Sequence, residues 1–175
     1  TSVSRGLGDV YKRQEINFNR IGVSFKGSGS CVPDQILTNQ KISQKVDTSD
    51  EWIKSRTGIS ERRISSVEDD VSDMGYKAAL NAIEKANWDV KTIDLIILAT
   101  STPNDLFGSA PSIQAKLGAS NAVAFDLTAA CSGFLFALIT ASQFLKGGNF
   151  KRAIVIGADQ LSSFVDWNDR RSCIL

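Results

Sequence analysis

The sequence predicts an α/β fold in which a parallel or mixed sheet lies between helices. Three observations predict it. Almost wholly apolar runs of strand length recur at 93–99, 122–127 and 153–158. Segments with helical spacing of apolar residues accompany them, at 71–88, 109–117 and 132–146. No repeat, low-complexity stretch or internal linker interrupts the alternation. Strands covered on both faces are continuously apolar, whereas half-exposed strands alternate.

Taken in order, residues 1–16 are polar and without apolar period, a disordered or non-native tail. A single domain is expected over 17–175. Ile21, Val23 and Phe25 alternate as a strand would. Gly27-Ser28-Gly29 lacks the third glycine of a dinucleotide loop, and Pro33 stands where its helix should begin, so that reading is discarded. Thr38–Val46 is a short helix. Thr48-Ser49-Asp50-Glu51 forms a capping box with Thr48 as cap, opening a helix through Trp52 and Ile53 to about Arg56, with Gly58 as its stop. Apolar residues at 71, 74, 78, 82, 83 and 86 predict a long helix. Residues 93–99 (IDLIILA) form a strand. Pro111 fits the first turn of a helix over 109–117, which Gly118 ends. A strand follows at 122–127. The helix from Ser132 to Lys146 carries apolar residues from Phe134 to Ile139 without a break, which predicts burial all round. Gly147-Gly148 stops it before the strand at 153–158. Ser172 to Leu175 is expected to begin another apolar strand.

Composition narrows the chemistry. The chain has 175 residues, 42% apolar and 22% charged, enough for a core without disulfides or metals. A net charge of +1 argues against nucleic acid as a partner, because neutralising phosphates takes a basic surface. No apolar run approaches the ~20 residues needed to span a bilayer, so no membrane partner is expected. There is no histidine. That removes Ser–His–Asp triads, Cys–His dyads and His-ligated zinc within these residues, and no metal site is expected. Cys31, Cys131 and Cys173 form neither a disulfide framework nor a C-x-x-C motif, and a reducing cytoplasmic setting is the simplest reading.

Cys131 lies where the strand ending near Leu127 gives way to the helix from Ser132. Free amides at a helix start favour a thiolate, and α/β proteins place their sites at the carboxyl edge of the sheet. From position alone two readings stand: a nucleophile, or an inert cysteine packed among Ala129, Ala130 and Gly133. Ser132 is a weaker rival, lacking a histidine base. Cys31, in a turn, and Cys173, in the expected last strand, read as ordinary small apolar residues.

At this point longer motifs count. The run from Val46 through Thr48, Trp52 and Arg56 to Ile59, followed by Glu61-Arg62-Arg63, resembles a signature of the β-ketoacyl-acyl carrier protein synthase III family. The run Ala124-Phe125-Asp126-Leu127-Thr128-Ala129-Ala130-Cys131-Ser132-Gly133-Phe134 resembles that family's nucleophile segment, and Val155 to Asp159 and Asp169-Arg170 match further on. The resemblance covers about residues 20–175. It implies a thiolase-like fold, of which this chain matches the N-terminal half, with a mixed, mostly parallel sheet covered by helices.

It implies site roles as well. Cys131 matches the acyl-accepting cysteine, whose thiolate takes an acyl group, usually acetyl, from acyl-CoA. Trp52 matches the tryptophan that stacks on the adenine of coenzyme A, and Arg170 the arginine that covers its other face. Thr48 and Arg56 match residues at the same nucleotide end. Phe107 matches a phenylalanine that crosses a dimer interface to close the partner's acyl pocket, which implies a homodimer. Acyl-CoA is a substrate, not a cofactor, and malonyl-acyl carrier protein is the second partner, condensed to 3-oxoacyl-acyl carrier protein. The family's condensation step uses a histidine and an asparagine from its second half. No position here matches them, and Asn81, Asn104 and Asn168 are not substitutes. The chain alone is therefore expected not to condense. A starter-unit acyltransferase or polyketide-type ketosynthase using the same cysteine, and a non-catalytic half-length binding module, are the competing readings.

Overall fold

The computed structural model describes residues 22–66 and 69–175. At its centre is a parallel sheet of β3 (Leu95–Ala99), β4 (Val123–Leu127) and β5 (Ala153–Gly157), in the order β4-β3-β5. All five residues of β3 are buried. Side chains alternate across a strand, so β3 feeds two cores. Ile96 and Leu98 meet Ala79, Ile83 and Ile113 on one face. Leu95, Ile97 and Ala99 meet Ala137 and Ala141 on the other. The first face is covered by α3 (Val71–Ala86) and α4 (Ala110–Leu117), the second by α5 (Gly133–Lys146).

The helix ends follow from their residues. Asp70 caps α3 by accepting from the Asp73 amide, and Asn87 closes it at φ 52°. Gly118 takes φ 70° after α4, a conformation a side chain would oppose. A smaller unit precedes the sheet. It joins β1 (Gln35–Thr38), α1 (Asn39–Ser43), α2 (Asp50–Thr57) and β2 (Glu61–Ile64), with β1 and β2 antiparallel. The polar pair β1–β2 escapes the sequence pattern because neither strand is buried on a full face.

Four expectations are corrected. The strand at Ile21–Phe25 is one: Ile21 lies outside the described residues, and residues 22–34 hold no strand. Val23 and Phe25 are exposed. The segment instead runs against α3, so closely that a Cβ on Gly27 or Gly29 would collide with the Ala82 or Ala78 carbonyl oxygen. Second, α5 is not buried all round. Only Gly133, Ala137 and Ala141 are buried, while Phe134, Leu135, Phe136 and Ile139 are exposed. Among the described residues only one sheet face covers it. Third, Ser49 and not Thr48 caps α2, accepting from the Trp52 amide at 3.1 Å. Fourth, the end of the chain forms a 3₁₀ turn, Arg170–Ile174, in place of a strand. Asp169 caps that turn, and Cys173 is buried against Ile42 and Ile53. Capping and backbone hydrogen bonds from Arg62 satisfy the turn's polar groups without a ladder. The expected tail, residues 1–16, and the domain start at 17 lie outside the described residues.

Candidate active site

Cys131 sits on a sharp junction. Strand β4 ends at Leu127, and a single 3₁₀ turn, Ala130–Ser132, leads straight into α5. Ala130 takes φ 46°, a left-handed conformation that costs a residue with a Cβ about 1–2 kcal/mol. Such strain concentrates where a side chain must be aimed. The start of α5 presses on two strand ends. A Cβ on Gly133 would stand 3.2 Å from the Ala99 Cβ, and one on Gly157 3.2 Å from the Phe134 Cβ. Cys131 thus lies at the carboxyl edge of the sheet, and it is exposed. It also lines a cavity of about 1120 Å³ bounded by residues 22–29, α3, α5 and β5.

Trp52, Arg56 and Arg170 come together elsewhere, outside the lining of that cavity. The Arg170 guanidinium carbon lies 5.0 Å from the Trp52 ring centre, and that of Arg56 lies 5.6 Å from it. Positions 52 and 56 share a helix face. Arg170 arrives from the far end of the chain, and its Nε donates to the Asp47 carbonyl oxygen at 2.7 Å. Beside them Thr48 holds a buried hydroxyl oxygen with no hydrogen-bond partner. A flat ring inserted between indole and guanidinium needs roughly 7 Å, two layers of roughly 3.5 Å each. At 5.0 Å the Arg170 pair is closed.

The small unit is braced by polar contacts that spacing does not reveal. Buried Asn39 donates to Asp50 Oδ1 at 2.9 Å and to the Ile59 carbonyl oxygen at 2.7 Å. Hydrogen bonds from Lys54 and then Asn39 hold the Asp50 carboxyl below the usual carboxylate range. Arg62 donates to Asn39 Oδ1 and, through Nη2, to the Cys173 carbonyl oxygen at 2.6 Å. Partial burial draws the Arg62 pKa below its ordinary value.

Phe107 is not gathered into either group. It stands 90% exposed beside the fully exposed Leu106, on the loop between β3 and α4. That loop is tied down by Asp126, which accepts from the Ser109 amide at 2.8 Å and the Ala110 amide at 2.7 Å. Asp159 does the same beside β3, accepting from the Ser101 amide at 2.7 Å. A carboxylate inside an apolar strand, as Asp126 is, was the available signal. Among the described residues no cluster could hold a metal ion, and no helix is long and apolar enough to cross a membrane.

This architecture agrees with solved condensing enzymes. Crystal structures of 3-oxoacyl-[acyl-carrier-protein] synthase III from Aquifex aeolicus VF5 (TM-score 0.84, 48% identity) and of the priming β-ketosynthase of the R1128 polyketide pathway (TM-score 0.80, 34% identity) are similar to it. The first match covers 88% of this chain and 50% of the other, the second 83% and 44%. The fold is therefore the thiolase-like α/β fold of that enzyme class. By sequence, residues 125–175 match the family model for 3-oxoacyl-[acyl-carrier-protein (ACP)] synthase III. The β-ketoacyl-[acyl-carrier-protein] synthase III of Prochlorococcus marinus strain MIT 9215 is 88% identical over 162 residues, which are 93% of this chain and 48% of that protein. Over the residues it spans, the chain matches the N-terminal half of synthase III proteins. It spans about half the length of the curated relatives it matches.

Proposed function

We propose that this chain carries the acyl-CoA side of a fatty acid chain-initiating condensing enzyme. The observation that supports it most is the convergence of Arg56 and Arg170 on the one indole of Trp52. A flat aromatic and planar guanidinium groups suit a purine, and cations suit the phosphates beside it. Adenine enters by displacing Arg170 from the ring, and Thr48 lies at the same nucleotide end.

Cys131 performs the chemistry. Its sulfur attacks the thioester carbonyl carbon of acetyl-CoA, and a tetrahedral oxyanion forms. The Cys131 amide is one donor to that oxygen. The C–S bond to coenzyme A then breaks, leaving an acetyl-cysteine, and the proton lost by Cys131 ends on the coenzyme A thiol. In the whole protein the acetyl group is then condensed with malonyl-acyl carrier protein to give 3-oxoacyl-acyl carrier protein, in a cytoplasmic homodimer whose pocket Phe107 helps to close. The domain carrying these residues runs from about 17 to 175. The likeness to a priming polyketide ketosynthase supports a second reading, with the same cysteine and another acyl starter.

Calorimetric titration with coenzyme A tests the proposal. The chain should bind it, and Trp52→Ala should weaken binding. Equal affinity in both proteins would refute it.

A further inference from the structure

Trp52 and Arg170 are the two jaws of the proposed nucleotide site, yet they stand on elements far apart in sequence. Apolar packing brings these elements together, since Ile53 and Cys173 share a small core with Ile42. Apolar packing is not directional, and it leaves the 3₁₀ turn free to slide over α2. The polar contacts supply direction. Arg62, on β2, donates from one guanidinium fork to the carbonyl oxygens of Cys173 and Leu175 and to Asn39 Oδ1. Asn39 in turn donates to Asp50, the first residue of α2. Two residues further on is Trp52.

We propose that Arg62 is a positioning residue for nucleotide binding, setting through Asn39 and the Cys173 carbonyl the placement of the Arg170 turn over the Trp52 helix. This rests on the reading of Trp52 and Arg170 as the nucleotide site. Arg62 touches no ligand. Its planar fork holds fixed directions that a lysine ammonium cannot reproduce. The Arg170 side chain itself is held to the mouth of the site by a single hydrogen bond, to the Asp47 carbonyl oxygen. A turn released from Arg62 therefore leaves Arg170 out of place to cover the adenine once it has entered.

The test is a double-mutant cycle with adenosine 3′,5′-diphosphate as probe, on the whole 175-residue chain. Arg170→Ala and Arg62→Lys are each expected to weaken binding about fivefold, and the double variant no more than either, because both remove one contribution. Alkylation of Cys131 by iodoacetamide reports on the rest of the fold, since Cys131 lies outside the small unit. A residue with only a structural role would lower affinity additively and change that rate. If Arg62→Lys does not fold, Arg62→Gln takes its place in the cycle. The proposal is overturned if Arg62→Lys binds the probe as wild type does, if the two losses multiply, or if the Cys131 rate shifts along with affinity. If wild type binds no probe, or binds it equally after Trp52→Ala, the nucleotide reading fails and this proposal fails with it.

Discussion

Replacing Trp52 with alanine should weaken adenosine 3′,5′-diphosphate binding by about tenfold, and the magnitude follows from what already occupies the indole. Stacking a base on an aromatic side chain is worth about 1–3 kcal/mol. In the free protein the Arg170 guanidinium lies 5.0 Å from the ring centre. Such a contact is worth about 0.5–1 kcal/mol at an exposed site, and it must be released before adenine enters. The alanine variant loses the stacking and the release together. The net is about 0.5–2 kcal/mol, with tenfold corresponding to about 1.4 kcal/mol. Isothermal titration of wild type and variant measures it. A change under twofold would show that the indole is no platform. A loss well beyond a hundredfold would show that the guanidinium offers no competition.

Asp126→Asn leaves two amides sharing one neutral acceptor, and should lower stability by about 1–2 kcal/mol in urea denaturation; an unchanged midpoint would refute the tie between β4 and the loop bearing Phe107. Asp70 gives a pH signature. Burial pushes its carboxyl up, but the Asp73 amide, the Ser72 and Asn104 hydrogen bonds and Lys116 outweigh it, and its pKa lies below the ordinary value. A depressed folded pKa stabilises above the unfolded value and is lost as pH falls through the folded one. Melting temperature should therefore drop below about pH 4, and Asp70→Asn should reduce the drop. The exposed face of α5 predicts self-association. Leu135→Lys with Ile139→Lys should raise the monomer fraction in sedimentation, and no change would refute that. Finally, acetyl-CoA with malonyl-acyl carrier protein should give no 3-oxoacyl product with this chain, which has no histidine; robust product would refute the expectation.

β3 was legible because burial on both faces writes an apolar run; β4 and β5 carry similar runs although β4 is only half-buried and β5 is buried at alternate residues. Position 131 was legible as the place where the apolar run of β4 meets a helix. The exposure of α5 was not. Phe134, Leu135 and Ile139 look the same in sequence whether or not anything covers them. Nor could Thr48 and Ser49 be told apart as caps, since Thr, Ser and Asp in a row all serve. The convergence of Trp52 with Arg170 has no local period, so only the longer motif pointed to it. The bracing by Asn39 and Arg62 is hidden because an ordinary polar residue and one arginine of a charged strand carry no pattern of their own.

Intact-mass and peptide analysis after incubation with acetyl-CoA tests whether acetyl-CoA held at Trp52 acylates Cys131. One acetyl group is expected, on Cys131, absent in Cys131→Ala and formed more slowly in Trp52→Ala. Acetylation spread equally over Cys31 and Cys131, or a Cys131 rate indifferent to Trp52, would contradict that expectation.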